Sequence, residues 1–131
     1  PAVLTKAGVN VSIITDAPVI PLRYLPLCAG LAAHAGLGID EAWKAITVNP
    51  ASALGISDRL GTLEAGKDAD IVIWTADPLT QIGGEAYITI VDGKIVYSKN
   101  EETYKVEDNI VYSKDGKTLI QYAIGKNRTA N

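Results

Sequence analysis

Lys6-Ala7-Gly8-Val9-Asn10-Val11-Ser12-Ile13-Ile14-Thr15-Asp16-Ala17-Pro18 is an apolar run that closes on an acid followed at once by Ala-Pro. Val9, Val11, Ile13 and Ile14 leave little more than Asn10 and Ser12 for solvent, the pattern of a strand buried between parallel neighbours. Residues 9–15 are therefore expected to form such a strand. Asp16 stands where it gives way to its loop. In barrels of alternating strands and helices the reacting groups come from that carboxyl end, which makes Asp16 the first candidate catalytic residue.

Helical patterns follow. Leu22, Leu25, Ala29, Ala32 and Ala33 recur at helical spacing around a helix expected over 23–35, with Pro21 and Pro26 near its start and Gly36 and Gly38 at its end. Ile39-Asp40-Glu41 reads as a second helix start, with Asp40 as the capping acceptor and Ala42, Ala45 and Ile46 facing inward. Asn49-Pro50 reads as the cap of a third, short helix that Gly55 closes after Leu54.

From Arg59 onward glycine-marked turns separate short β-branched runs, Ile71-Val72-Ile73-Trp74 and Tyr87 to Val91 among them. Asp92-Gly93, between Ile88-Thr89-Ile90-Val91 and Lys94-Ile95-Val96-Tyr97, predicts a two-residue hairpin because both positions tolerate positive φ. A charged joint, Lys99-Asn100-Glu101-Glu102, precedes a second predicted hairpin, residues 109–113 and 118–124, turning at Asp115-Gly116. Ile-Val-Tyr-Ser-Lys occurs at 95–99 and again at 110–114, which strand propensity alone explains.

The chain has 131 residues, of which 47% are hydrophobic and 21% charged, enough for one domain with a core. A net charge of −3 and a pI near 5.0 argue against nucleic acid or an anionic membrane as partner and favour a small molecule or another protein. No apolar stretch reaches the roughly 20 residues of a spanning helix, and no basic segment leads into a hydrophobic one, so a soluble, cytoplasmic protein is expected. The sequence contains no methionine, which points to a piece of a longer protein. Cys28, the single cysteine, lies among Leu27, Ala29 and Leu31 and reads as a small packing residue rather than a nucleophile.

One histidine, one cysteine and scattered acids cannot furnish a three-ligand zinc site unless carboxylates dominate it. His34, on the helix after the run, reads as a structural or surface residue. A serine triad would have to recruit His34 and lacks a Gly-x-Ser-x-Gly elbow. No glycine cluster stands between strand and helix with a following Lys-Thr or Lys-Ser, which disfavours a phosphate loop.

The run from Lys6 to Pro18 resembles the last barrel strand of the metal-dependent amidohydrolase superfamily. Ala42-Trp43-Lys44-Ala45-Ile46-Thr47-Val48-Asn49-Pro50-Ala51 is similar to the helix after that strand. Gly61-Thr62-Leu63-Glu64-Ala65-Gly66-Lys67-Asp68-Ala69-Asp70-Ile71-Val72 resembles the family's return into a β-sandwich, and Val91 to Tyr97 its closing hairpin. Together these cover residues 3–98 in the family's order. Thr15-Asp16-Ala17-Pro18 with Val19 to Leu27 is most similar to imidazolonepropionase-related members.

The resemblance implies an α/β fold: the last strand and helices of a (β/α)8 barrel at 1–56, the carboxyl-terminal part of a small β-sandwich at 57–98, and an extra hairpin tail at 99–131. It is incomplete as a single chain. The resemblance further implies that Asp16 is a metal ligand and the base that takes a proton from the attacking water. The metal would be divalent, zinc by family habit, and the substrate a small molecule with an amide-like C–N bond. The family's His-x-His, its strand-four Lys or Glu and its other histidines have no counterpart here, so a missing amino-terminal portion or an oligomer partner is expected to complete the site. The isolated chain is expected to be inactive.

The Gly66 to Asp70 turn reads as structural, its carboxylates in solvent, and Trp43 and Trp74 as packing residues. The tail resembles one leucine-rich repeat at 109–120, and its close, Ala123 to Asn127, resembles amino-terminal sandwich strands of amidohydrolases. The second likeness predicts tail strands paired beside Ile71–Trp74 or Tyr87–Val91. The alternative function is a non-catalytic structural or binding module left after loss of the barrel.

Overall fold

Short helices carry the first half of the chain in the computed structural model, which describes residues 1–99 and, beyond them, the backbone of 104–107, 110–113 and 119–122. They are α1 (Ala2–Lys6), α2 (Leu25–Ala32), α3 (Ile39–Ile46) and α4 (Val48–Ala53). The chain divides into two compact units, residues 1–62 with 76–84 and residues 63–75 with 85–131.

In the first unit the core is made largely of alanine: Ala29, Ala33, Leu37, Ala42, Ala45 and Leu79 are buried together, with Ile13, Trp43 and Ile46 packed on them. Small side chains let helix backbones approach closely, and the tightest approach is at Gly30 in α2. A Cβ built there would lie 2.3 Å from the carbonyl oxygen of Leu79. The segment carrying Leu79 is shaped by Asp77, whose Oδ1 accepts the Leu79 N–H at 2.9 Å and whose carbonyl accepts the Gln81 N–H at 2.9 Å. Such an Asx turn lets a proline-containing loop satisfy its own backbone.

The expected first helix starts later than its pattern. A 3-10 turn, Leu22–Tyr24, precedes α2, Pro26 sits in the first turn, and a wider turn, Ala33–Leu37, carries the chain to Gly36 and Gly38, both at positive φ. Two expected caps are not caps. Gly38 occupies the position before α3 and its carbonyl accepts the Ala42 N–H at 3.0 Å, so Asp40 lies inside the first turn with Glu41. There the two acids still meet the positive end of the helix, and Glu41 also pairs with Lys44 at 2.7 Å, holding that ammonium's pKa above the ordinary lysine value. Thr47, not Asn49, precedes α4, and Asn49 directs its carboxamide elsewhere.

No strand forms over residues 9–15, contrary to the sequence expectation. A ladder needs a neighbouring strand, and among the described residues none pairs with this segment. Its backbone is held by helices instead.

In the second unit β1 (Ile71–Trp74), β2 (Ala86–Val91) and β3 (Lys94–Ser98) form an antiparallel sheet in the order β1-β2-β3. Ile71 and Ile95 both oppose Ile90, and Ile73 opposes Ile88, which gathers isoleucines on one face. Ile88 and Ile90 are buried at its centre. The predicted hairpin is present, with Asp92 at φ 49° and Gly93 at φ 75°, both in the region that a two-residue turn between twisted strands requires.

The Gly66 to Asp70 stretch holds that turn. Asp70 Oδ1 accepts the Asp92 N–H at 2.8 Å and the Ala69 carbonyl accepts the Gly93 N–H at 3.1 Å. Its structural role stands, but the Asp70 carboxylate is engaged rather than merely solvated. At the other end of β2, Thr75 Oγ1 accepts the Glu85 N–H at 3.1 Å and the Glu85 carboxylate takes a hydrogen bond from Lys99 Nζ.

β4 (Tyr104–Glu107), β5 (Ile110–Ser113) and β6 (Leu119–Tyr122) form a separate antiparallel sheet in the order β4-β5-β6. The expected pairing of the tail with Ile71–Trp74 or Tyr87–Val91 is therefore corrected: β4 and β6 both pair with β5, so the tail's strands satisfy one another. Antiparallel pairing also departs from the stacked parallel strands of a leucine-rich repeat. Asp115-Gly116 and Ala123 to Asn127 lie outside the described residues.

Gly30→Ala should destabilise the first unit by about 1–3 kcal/mol, because a methyl group against a backbone carbonyl forces the 76–84 segment away from α2. Urea unfolding followed by Trp43 fluorescence measures it, and an unchanged midpoint would contradict the packing. The Glu85 carboxylate raises the Lys99 pKa chiefly through their hydrogen bond and then through its charge. A raised lysine pKa contributes stability below the unfolded value and loses it as pH rises through the folded one, so any effect of this exposed pair vanishes only at strongly alkaline pH. Glu85→Gln should lower the Lys99 pKa, read from its side-chain NMR shift during titration.

Candidate functional site

Residues 10–13 are fastened to α3 and α4 by three hydrogen bonds. Asn49 Nδ2 donates to the Val11 carbonyl at 2.7 Å, Asn10 Nδ2 donates to the Asn49 carbonyl at 3.2 Å, and the Ile13 N–H donates to the Ala45 carbonyl at 2.9 Å. The last of these meets an ordinary need of a helix end. Ala45 is in the final turn of α3, where carbonyls lack partners within the helix, and Thr47 breaks the helix at φ −132°. An N–H from the neighbouring segment takes that role.

Burial along the segment alternates. Val11 and Ile13 are half-buried and Thr15 is 4% exposed, while Ser12, Ile14 and Asp16 are exposed, Ile14 at 72%. A period of two is what a chain in strand-like conformation gives when one side is covered. Ile13 packs on the alanine core of the helices, and Val11 and Thr15 share its side. The other side carries Ser12, Ile14 and Asp16, of which the sequence pattern had marked Ile14 for burial.

Asp16 adopts φ 52°, a left-handed conformation that Asp tolerates better than most residues. Its carbonyl accepts the Val19 N–H at 2.9 Å, closing a four-residue turn that contains the cis Ala17–Pro18 peptide. The covered segment and this turn together leave the carboxylate at a free end of the uncovered side.

Other candidates are not gathered around it. Among the described residues no three His, Cys, Asp or Glu side chains converge on a common point. His34 is exposed and lines an open groove of about 600 Å³ with Leu27, Leu31, Leu79, Thr80 and Ile82. Cys28 is a half-buried free thiol in α2. One carboxylate does not make a metal centre, since zinc sites take three or four protein ligands. Asp16 has the chemistry of a single donor to one.

Asn10 and Asn49 were not legible as site residues. Asn10 reads as a solvent-facing position within an apolar run, and Asn49 as a helix cap. The available signal was weak: two carboxamides, one before each apolar turn that must meet, each with a donor that a backbone carbonyl can use.

The profile described as Amidohydrolase family matches residues 1–98. The chain belongs to the amidohydrolase family, as the resemblance of its motifs implied, and is related to imidazolonepropionases. The amidohydrolase tasK of Hapsidospora irregularis is 34% identical over 111 residues, 85% of this chain and 10% of its own length. The imidazolonepropionase of Thermoplasma volcanium is 37% identical over 109 residues, 76% of this chain and 26% of its own. A solved structure, an amidohydrolase from Thermotoga maritima MSB8, matches with a TM-score of 0.70 at 38% identity, over 73% of this chain and 25% of that one. The chain thus spans from 10% to 26% of the length of these relatives.

Proposed function

We propose that residues 1–98 are the carboxyl-terminal part of a metal-dependent hydrolase that cleaves a C–N bond in a cyclic or linear amide-like small molecule. The observation that carries this reading is the one-sided burial of residues 11–16, which leaves Asp16 at the end of an uncovered face. In this reading residues 9–15 hold the place of the last strand of a (β/α)8 barrel, which pairs only when the remainder of the barrel supplies neighbours; the helices of 1–56 are its outer layer, and the bare face is the barrel's interior. Residues 57–98 supply part of a β-sandwich, and 99–131 are an additional hairpin-bearing tail. Family membership supports the assignment, as does kinship with proteins named imidazolonepropionase.

Asp16 takes the proton from the attacking water and contributes one oxygen donor to a divalent metal, zinc by family expectation. A carboxylate suits that work because it can accept a proton and offer an oxygen donor, and Asp16 is exposed at the end of the uncovered side. A metal at this position supplies acidification of water and polarisation of a carbonyl. The other ligands come from sequence beyond these residues or from a partner chain. The exposed apolar residues on and after the segment, Val9, Ile14, Val19 and Ile20, belong in this reading to surface that the remainder of the barrel covers.

The 131-residue chain with added zinc or manganese should show no turnover on amide-like substrates. A chimera of the Thermoplasma volcanium imidazolonepropionase, with its matching terminal portion replaced by residues 1–98, should hydrolyse that enzyme's own substrate. Asp16→Asn in the chimera should then lower kcat by about 10²–10⁴-fold, the scale of a lost acid–base group. Turnover by the isolated chain, or an unimpaired Asp16→Asn chimera, would refute the assignment.

A further inference from the structure

In a sheet, the ladder sets which residues of a strand face which way. Residues 9–16 have no ladder among the described residues, yet their alternation is sharp: Thr15 is 4% exposed and Asp16 beside it is open to solvent. A shift of one residue would exchange the two. Apolar patterning alone specifies this poorly, because Ile13 and Ile14 are adjacent and equal in size and hydrophobicity. Either could fill the place against the alanine core.

What distinguishes the two registers is directional bonding. Asn49 donates to the Val11 carbonyl and accepts from Asn10 through its own backbone, so one residue on the helices grips two consecutive residues of the segment. The Ile13 N–H on the Ala45 carbonyl gives a third fixed point. Moving the chain by one residue turns the Val11 carbonyl away from Asn49, since successive peptide carbonyls point in opposite directions in a strand-like chain. The half-buried carboxamide would then face the core without its partner.

We infer that Asn49 is a positioning residue, a register pin that keeps Asp16 on the uncovered face and Thr15 on the covered one. The register follows from the geometry, and its functional weight rests on the reading of Asp16 as the site's acid. Asn49 acts through the Val11 carbonyl and the Asn10 side chain and touches no reacting group.

Thiol accessibility reports the register directly. In a Cys28→Ala background, two versions of the full chain carry a single probe, Asp16→Cys or Thr15→Cys. With Asn49 present, D16C should react with a maleimide at least about tenfold faster than T15C, as an exposed thiol does against a covered one. Asn49→Asp keeps the side chain's size but removes the donor to Val11. It should slow D16C and speed T15C, closing the gap to within about threefold. A structural role confined to holding the helices would speed both probes together, and that outcome overturns the inference, as does an unchanged ratio.

A cysteine-independent measurement guards against a probe that disturbs the fold. Hydrogen exchange of the Ile13 amide should quicken by at least about tenfold in Asn49→Asp while amides within α3 keep their protection. Equal protection at Ile13 in both proteins also overturns the inference. None of these readouts involves a metal or turnover, so an inactive chimera would undermine the functional reading while leaving the pin intact.

Discussion

The contact between the backbone of residues 10–13 and the junction of α3 with α4 is the constraint on which the candidate site depends. Three hydrogen bonds cross it, and two of them use asparagine side chains. Polar bonds of this kind contribute modestly to stability, about 0.5–1.5 kcal/mol each, but leaving a buried partner unmet costs more. Their value here is directional. They decide which side of a nearly uniform apolar run faces the helices, and hence that Asp16 ends the side that does not.

That contact requires helices close enough to offer their final carbonyls, and the alanine core supplies the closeness. Ala29, Ala33, Ala42 and Ala45 bring α2 and α3 together with little side-chain bulk between them, and Gly30 does the same for the 76–84 segment. The break at Thr47 matters equally. A continuous helix through 39–53 would have used its own carbonyls, leaving the Ile13 N–H without that acceptor.

Local chemistry was legible where a residue's own conformational preference settles the outcome. The Asp92-Gly93 hairpin, the stop at Gly36 and Gly38, the early placement of Pro26 and the inward faces of Ala42, Ala45 and Ile46 were all readable, because each depends on neighbours within a few residues. The two caps were misread for a related reason. Asp40 and Asn49 are good capping types, but a glycine with positive φ already ended one segment, and a carbonyl 38 residues away competed for the carboxamide of the other.

By itself the sequence determined the family, the helical character of the stretches around α2 to α4, and the positions of β1, β2, β3 and the Asp92-Gly93 turn, and it singled out Asp16 as the candidate acid. Those follow from short-range preferences and from motifs whose residue types carry their own geometry. Only the tertiary structure decided that residues 9–15 are covered on one side, that Asp70 holds a hairpin turn, that the tail's strands pair among themselves, and that Asn49 grips Val11. Each of these joins residues distant in the chain. Hydrogen bonds and backbone approach at that range depend on where the folded chain puts its donors and carbonyls, which composition and periodicity do not encode.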